Sequence, residues 1–108
     1  MSEFILVLTN TASLAEAQAI TDAAVTAHLA AAVQIIGPVQ STYRWHGQIE
    51  RAEEWICLLK TNQALYLEVE RTIRALHSYE LPGILAIPVI VGSELYLRWL
   101  GGQLKSLE

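Results

Sequence analysis

The sequence predicts one α+β domain whose strands and helices follow the order βαββαβ, with a short helix added at the C-terminus. Three observations carry this prediction. Two apolar runs rich in strand-forming residues, 4–8 and 84–91, stand near opposite ends of the chain. Two segments, 13–31 and 65–76, repeat apolar residues at helical spacing. Between the helical segments, two long strand-like stretches flank a turn signal at residues 46–48.

Composition limits both the size and the class of the protein. The chain has 108 residues, so we expect a single domain over residues 1–108. Its charged fraction of 17% and net charge of −4 supply no basic face, which argues against nucleic-acid binding. The apolar runs are much shorter than the roughly 20 residues that span a bilayer, so we expect no membrane segment. A single cysteine, Cys57, and the lack of a basic N-terminal segment favour a cytoplasmic location.

The first strand and helix have clear local signals. Phe4–Leu8 is a continuous apolar run, which is typical of a central strand. Ser13 and Glu16 have the spacing of a capping box, in which Ser13 caps the helix and Glu16 reaches back to it. The helix that follows is predicted from apolar residues at helical spacing: Ala17, Ile20, Ala24, Ala27 and Ala31.

The central hairpin is unusually long. Its first strand begins at Val33–Ile36 and is interrupted by Gly37-Pro38, which predicts a bulge or an edge position. Its second strand runs from Ile49 to Thr61. Each arm exceeds the common strand length of about five or six residues. Alternation places four residues of the first arm on one face: Val39, Ser41, Tyr43 and Trp45. A hairpin that overhangs so small a domain has a free edge, which favours self-association.

The remaining elements complete the pattern. Thr61 or Asn62 can cap the second helix, whose apolar stripe is Leu65, Val69, Ile73 and Leu76. The last strand is predicted over Ile84 to Val91, and Ser93 caps a final helix that ends at Gly101-Gly102. This order closes into a mostly antiparallel, ferredoxin-like sheet with both helices on one face. The other face needs a cover, which self-assembly would supply.

Signals for catalysis are absent from the sequence. There is no glycine-rich phosphate loop, no H-E-x-x-H and no paired C-x-x-C. Cys57 lies in an apolar strand, where an inert buried thiol is expected. Asp22, the only aspartate, lies within a helix and is expected to be solvated. Because no nucleophile stands beside a base, we expect that the protein is not an enzyme.

Three groups of residues could bind a ligand. His77 and Glu80 stand three positions apart beside Tyr79, and imidazole with carboxylate suits a divalent transition metal. The alternative is a loop in which His77 bonds a carbonyl group and Tyr79 packs. Lys60 at a strand end can bind an anion or be a surface charge. The aromatic residues around Trp45 at the hairpin tip can recognise a ligand or simply pack.

Several motifs occur together in a recognisable order. They are Ser41-x-Tyr43-x-Trp45-x-Gly47-x-Ile49-Glu50, Glu54, Leu59-Lys60-Thr61, His77-x-Tyr79-x-x-Pro82 and Tyr96-Leu97-x-Trp99. Over nearly its whole length the chain resembles the CutA divalent-cation tolerance proteins. The resemblance implies a ferredoxin-like fold similar to the PII signalling proteins and a tight homotrimer in which the long hairpins pair with neighbours. It also implies tolerance of copper and other divalent cations, without an established enzymatic activity.

The resemblance also implies site residues. His77 is the candidate ligand for a Cu or Zn ion, with Glu80 as a local carboxylate. The residues expected to line or support the cleft between subunits are Thr9, Tyr43, Trp45, Lys60, Tyr79, Tyr96 and Trp99. The chain departs from the family pattern at Thr9 and Val33, where many members have cysteine, and at Gly83, where the loop motif usually has glutamate. A thiolate and one carboxylate of that pattern are therefore absent.

Three functions remain open at this point. The first is a trimeric protein that binds divalent cations. The second is a PII-like sensor of a small molecule in the cleft between subunits, where Lys60 meets an anion and Trp45 or Tyr79 stacks on it. The third is a trimeric scaffold that binds a protein partner and no ligand.

Overall fold

The computed structural model describes residues 3–106 and has the predicted order of elements. Four strands and three helices follow in the order βαββαβα, and a single turn of 3-10 helix at Gln63–Leu65 precedes the second helix. The elements are β1 (Phe4–Thr11), α1 (Leu14–Thr26), β2 (Ala32–Trp45), β3 (Gln48–Asn62), α2 (Tyr66–Leu76), β4 (Ile84–Pro88) and α3 (Glu94–Gln103). The α+β class and the βαββαβ order are confirmed.

The four strands form one antiparallel sheet in the order β2-β3-β1-β4. The strand β1 is central, as its continuous apolar run predicts, because Val7 pairs with Leu59 of β3 on one side and with Ala86 of β4 on the other. Both β2 and β4 are edge strands within the described part of the chain.

One face of the sheet carries the hydrophobic core. Alternate residues of β1, such as Ile5 and Val7, point to the same face as Cys57 and Leu59 of β3. The two helices pack on this face and bury their apolar stripes. Residues that they contribute to the core are Ala17, Ile20, Ala24, Val69 and Ile73. The helical periodicity of both segments identified these buried positions, but Ala27 and Leu76, which belong to the same predicted stripes, are exposed.

The caps of the helices follow the sequence in part. Ser13 caps α1, since its Oγ accepts a hydrogen bond of 3.1 Å from the backbone N–H of Glu16. The second half of the predicted capping box is wrong: Glu16 Oε2 accepts a hydrogen bond from the N–H of Ser78 instead. Asn62, rather than Thr61, caps the 3-10 turn by accepting from the N–H of Leu65.

A bulge in β2 changes the side of the sheet that its odd-numbered residues face. Ile36 pairs with Ile56 and Val39 with Glu54, so β2 holds one extra residue between these pairs, and the Gly37-Pro38 peptide there is cis. Before the bulge, odd-numbered residues face the helices. Beyond it, Val39 and the odd-numbered residues that follow face the opposite side with Glu54. The predicted shared face of these residues is confirmed, and the bulge determines which face it is.

The hairpin closes with a two-residue turn. His46 and Gly47 both have positive φ, 50° and 78°, as a type I′ turn requires. The arms of the hairpin are 14 and 15 residues long, which confirms the predicted overhang.

Three predicted boundaries are wrong. The helix α1 ends at Thr26, so Ala27 and Ala31 lie outside it, because the chain turns at His28 with φ of +58°. The strand β4 ends at Pro88 rather than Val91, and the N–H of Val89 makes one further hydrogen bond, of 3.0 Å, to the carbonyl oxygen of Phe4. The helix α3 continues through both glycines to Gln103. A Cβ on Gly101 would lie 3.3 Å from the ring of Phe4, so glycine there allows close packing.

The face opposite the two helices stays largely open. The helix α3 covers one end of it, and the hydroxyl of its Tyr96 accepts a hydrogen bond from Lys60 of β3. Elsewhere on this open face large apolar side chains are exposed, among them Ile36, Tyr43, Trp45, Leu85 and Ile87. No helix within residues 3–106 is long and apolar enough to cross a membrane.

Candidate functional site

A cleft of about 660 Å³ opens on the hairpin side of the molecule. One wall is the β2–β3 hairpin, the floor is the end of β1, and the other wall is the loop between α2 and β4. The residues that line it are Leu8, Thr9, Asn10, Ser41, Thr42, Tyr43, Trp45, Glu54, Tyr79, Glu80, Leu81, Gly83 and Leu85. Of the predicted cleft residues, the structure therefore brings together Thr9, Tyr43, Trp45 and Tyr79.

Glu54 connects the two walls and the floor of the cleft. It is only 4% exposed, although it belongs to the polar part of the hairpin. Its Oε1 accepts a hydrogen bond of 3.2 Å from the Asn10 side chain of β1. Its Oε2 accepts one of 2.5 Å from the hydroxyl of Tyr79 in the loop. These bonds satisfy a buried carboxylate and fix the loop against the hairpin.

The surroundings shift the pKa values of this pair in opposite directions. Burial alone would raise the pKa of Glu54, but hydrogen bonds from Ser41, Tyr79 and Asn10 outweigh it and hold that pKa below 4.5. Burial, followed by the bond to Glu54 and its charge, raises the pKa of Tyr79. At neutral pH the carboxylate is therefore ionised and the phenol is a stable donor.

His77 connects the loop to β1 through both of its ring nitrogens. Its side chain is fully buried. The Nε2 atom lies 2.6 Å from the carbonyl oxygen of Asn10, and Nδ1 lies 3.2 Å from the backbone nitrogen of Tyr79. Because a carbonyl only accepts and a backbone N–H only donates, the ring is the neutral tautomer with its proton on Nε2. This is the loop arrangement that the sequence left open as the alternative to a metal ligand.

The residues of the loop do not fit a metal ion in this arrangement. Both nitrogens of His77 are occupied by hydrogen bonds, so neither has a lone pair free for coordination. Glu80, its expected carboxylate partner, is exposed and lines the cleft. Within residues 3–106, no three or more His, Cys, Asp and Glu side chains gather closely enough to hold a metal ion.

Lys60, Tyr96 and Trp99 form a second group, away from the cleft. The Lys60 Nζ donates to the Tyr96 hydroxyl at 2.9 Å and lies 5.2 Å from the centre of that ring. The rings of Tyr96 and Trp99 are 5.5 Å apart. Lys60 follows Glu54 by six positions on β3, which is about 20 Å along a strand. Within one chain, Lys60 therefore does not meet Trp45 or Tyr79, and their expected meeting in the cleft between subunits stays a prediction.

Thr9 and Cys57 are neighbours in the sheet, and both are buried. Thr9 borders the cleft but is 1% exposed, and it pairs with Cys57 on the face toward the helices. Cys57 is fully buried, and burial followed by the charge of Glu16 raises the pKa of its thiol to about 11. The expectation of an inert buried thiol agrees with this environment.

Ser41 and Glu54 belong to the family motifs, but sequence reasoning did not assign them to the site, and it missed Asn10 altogether. A signal for Glu54 was available: it directly precedes the apolar run 55–59 in a strand, and glutamate is almost never fully buried unless it is paired. No signal in the sequence pointed to Asn10, because its partner lies 44 positions away.

Comparison with known proteins agrees with this architecture. A family model described as "CutA1 divalent ion tolerance protein" matches residues 5–103. The divalent-cation tolerance protein CutA of Archaeoglobus fulgidus is 39% identical over 88 residues, which cover 82% of this chain and 85% of that protein. The corresponding protein of Thermus thermophilus is 37% identical over 84 residues, which cover 78% of this chain and 82% of that protein.

Solved structures show the same fold. CutA1 of the psychrotrophic bacterium Shewanella sp. SIB1 superposes with a TM-score of 0.93 at 33% identity, over 97% of this chain and 98% of that chain. Some relatives are longer: the match covers only 43% of the chloroplastic CutA protein of Arabidopsis thaliana. The family model and the bacterial and archaeal relatives span most of the sequence, and the chain belongs to the CutA1 divalent ion tolerance protein family.

Proposed function

We propose that this protein serves divalent-cation tolerance as a homotrimeric, non-catalytic binding protein whose cleft is the binding site. The observation that carries the proposal is the cleft itself. Its volume of about 660 Å³ lies within the range of roughly 300–1,000 Å³ that is usual for small-molecule sites. The hydrogen bond between Tyr79 and Glu54 holds its two walls in place, so the site is formed before a ligand arrives.

The open face of the sheet supports the homotrimer. Leu85 and Ile87 of β4 are 71% and 47% exposed, and Ile36 of β2 is 46% exposed. Large apolar side chains exposed on one face of a sheet are typical of an interaction surface. The long hairpin adds a free edge along β2, which a neighbouring copy would pair with or cover. In a trimer the partner subunit would close the open side of the cleft.

The remaining parts of the proposal follow from composition and from the site. We place the protein in the cytoplasm, because its only cysteine is a buried thiol. We propose no nucleic-acid or membrane partner, since the net charge is −4. A catalytic role has no support, because the cleft offers a hydrogen-bonded carboxylate and phenol but no activated nucleophile.

Direct metal binding at His77 and Glu80 is the second candidate function. One observation favours it: Glu16 Oε1 lies 3.8 Å from His77 Nδ1 and has no hydrogen-bond partner in the described part of the chain. A carboxylate thus already stands beside the imidazole. Binding would require the loop to release at least one of the two hydrogen bonds of His77.

Two measurements test these candidates. For the cleft, a thermal-shift screen of Cu(II), Zn(II), nucleotides, amines and carboxylates is expected to find ligands whose effect weakens in Trp45→Leu. A screen without any hit would contradict the cleft as a binding site.

For the metal site, calorimetry with Zn(II) compares wild type with Glu80→Gln, and His28→Asn is the control. His28 is exposed, and asparagine tolerates its positive φ. Binding that survives in Glu80→Gln would eliminate Glu80 as a ligand.

A further inference from the structure

We infer that Glu16 is a positioning residue for the wall of the cleft that the loop 77–83 forms. From α1, its carboxylate fixes the loop in the orientation in which Tyr79 reaches Glu54. The inference concerns how the proposed binding site is built, and it rests on the proposed function for its biological meaning. Every contact that carries it lies within one chain, so it does not depend on the residues that a neighbouring copy adds to the cleft.

The loop 77–83 has no regular structure of its own to hold it, since it joins α2 to β4 without belonging to a helix or strand. Two consecutive amides fix its backbone instead. The N–H of Ser78 donates to Oε2 of Glu16 at 2.9 Å. The N–H of Tyr79 donates to Nδ1 of His77 at 3.2 Å. Because these amides belong to the two planar peptide groups that flank Ser78, the two bonds together restrain its φ and ψ. The direction in which Tyr79 leaves the loop therefore depends on Glu16.

The loop is held between two carboxylates that come from different layers of the fold. Glu16 approaches from the helix layer, and Glu54 lies on the opposite face of the sheet. The hydroxyl of Tyr79 donates to Oε2 of Glu54 at 2.5 Å. A bond this short requires that donor and acceptor are closely aligned. Since Ser78 and Tyr79 are adjacent in the chain, a shift of the backbone at Ser78 would lengthen that bond.

Glu16 contacts the loop in place of a local bond that its position allows. It stands three residues after Ser13, where a glutamate can accept from the backbone N–H of the N-cap residue. The carboxylate points to Ser78 instead. Its Oε1 is buried 3.8 Å from Nδ1 of His77 and has no hydrogen-bond partner in the described part of the chain. An unsatisfied buried acceptor costs free energy, so the contact with the loop outweighs both the local bond and the burial of Oε1.

A double-mutant cycle tests the coupling between Glu16 and the bond that it positions. The variants are Glu16→Ala, Tyr79→Phe and the double variant, and unfolding of the full chain in urea is followed at one protein concentration. In the Glu16→Ala background, we expect Tyr79→Phe to raise the unfolding constant by a factor about three times smaller than in wild type, because the displaced hydroxyl no longer holds Glu54. Equal factors in both backgrounds would overturn the inference.

Two further variants separate positioning of the loop from support of α1. Glu16→Gln keeps an oxygen that can accept from Ser78 and is expected to leave the effect of Tyr79→Phe close to that in wild type. Ser13→Ala is the control, because the Ser13 side chain caps α1 and makes no bond to the loop among residues 3–106. Its effect is expected to add to that of Tyr79→Phe. Coupling as strong for Ser13→Ala as for Glu16→Ala would contradict the assignment.

Amide exchange gives a second readout that a general loss of stability would not produce. The N–H of Tyr79 is bonded to His77 and not to Glu16, so faster exchange there reports movement of the loop. We expect about a tenfold increase at Tyr79 in Glu16→Ala and nearly wild-type exchange in Glu16→Gln. The N–H of Leu65, which donates to Asn62, is the reference for global opening.

Three results of the exchange experiment would overturn the inference. They are unchanged protection of the Tyr79 amide in Glu16→Ala, equal acceleration at Tyr79 and Leu65, and equal acceleration in Glu16→Ala and Glu16→Gln. The last of these would show only the effect of a nearby charge on exchange. Neither measurement uses a ligand, so this inference and the binding function of the cleft can fail separately.

Discussion

The hydroxyl of Tyr79 donates a hydrogen bond of 2.5 Å to Oε2 of Glu54, and this bond joins the loop after α2 to the β2–β3 hairpin. The two residues are 25 positions apart in the chain. On the other side of the loop, the backbone N–H of Tyr79 donates to His77, whose ring donates to the carbonyl group of Asn10. The side chain of Asn10 in turn donates to Glu54, so the network is closed on itself.

Removal of the Tyr79 hydroxyl tests this network. Tyr79→Phe leaves Oε2 of a buried carboxylate with one donor fewer, so we expect unfolding free energy to fall by about 1–3 kcal/mol. Tyr43→Phe is the control, because that ring is 41% exposed and its loss of a hydroxyl group is expected to cost much less. Urea denaturation of both variants measures the difference. Equal stability of the two variants would show that the Tyr79–Glu54 bond contributes nothing.

The low pKa of Glu54 predicts a specific dependence of stability on pH. Its pKa in the folded protein is below the ordinary value of 4.5, so its contribution is complete above about pH 4.5. That contribution is lost as the pH falls through the folded-state pKa, when the buried carboxylate gains a proton. Glu54→Gln cannot titrate and is expected to show a shallower loss of stability in acid. Parallel pH profiles for wild type and Glu54→Gln, from urea midpoints, would contradict the prediction.

The bulge at Gly37 predicts a steric effect. A Cβ at this position would lie 2.6 Å and 2.9 Å from two ring atoms of Trp55 and 3.1 Å from the carbonyl oxygen of Glu54. Gly37→Ala is therefore expected to destabilise the fold by about 1–3 kcal/mol. Gly102→Ala is the control, since a Cβ there meets nothing within 4 Å and lies within α3. Thermal melting compares the two, and similar effects of both would show that the bulge adapts without cost.

Cys57 is predicted to be unreactive in the folded protein. Burial raises the pKa of its thiol to about 11, and the side chain is fully buried on the core face of β3. Alkylation by iodoacetamide at neutral pH is expected to require unfolding, with fast labelling only in denaturant. Mass spectrometry follows the labelled fraction over time. Labelling at the same rate with and without denaturant would mean that the thiol is accessible.

Much of the fold could be predicted from local pattern. The continuous apolar run of β1 indicates a strand with neighbours on both sides, and the stripe of Val69 and Ile73 indicates the buried face of α2. The ends of the helices and strands were less predictable, because they depend on single tertiary contacts. At Gly101, a residue type that commonly ends helices lies within one, and the ring of Phe4 leaves little room for a Cβ there.

Local pattern predicted the aromatic part of the site. Alternation along β2 placed Tyr43 and Trp45 on one face, and the bulge then turned that face toward the cleft. The roles of Glu54 and His77 depend on partners far away in the sequence, which no local pattern contains. Within one chain, the seven residues implied for the cleft between subunits lie in two groups, because Lys60 and Trp45 belong to opposite ends of a long hairpin.

The homotrimer is the central claim that one measurement tests most directly. Sedimentation velocity of the tag-free protein, over a dilution series into the nanomolar range, reports the mass of the folded species. Because apolar residues of the open face such as Leu85 and Ile87 would be buried between copies, we predict a species of three chain masses at every concentration until the protein unfolds. A folded monomer at any concentration in that series would contradict the account.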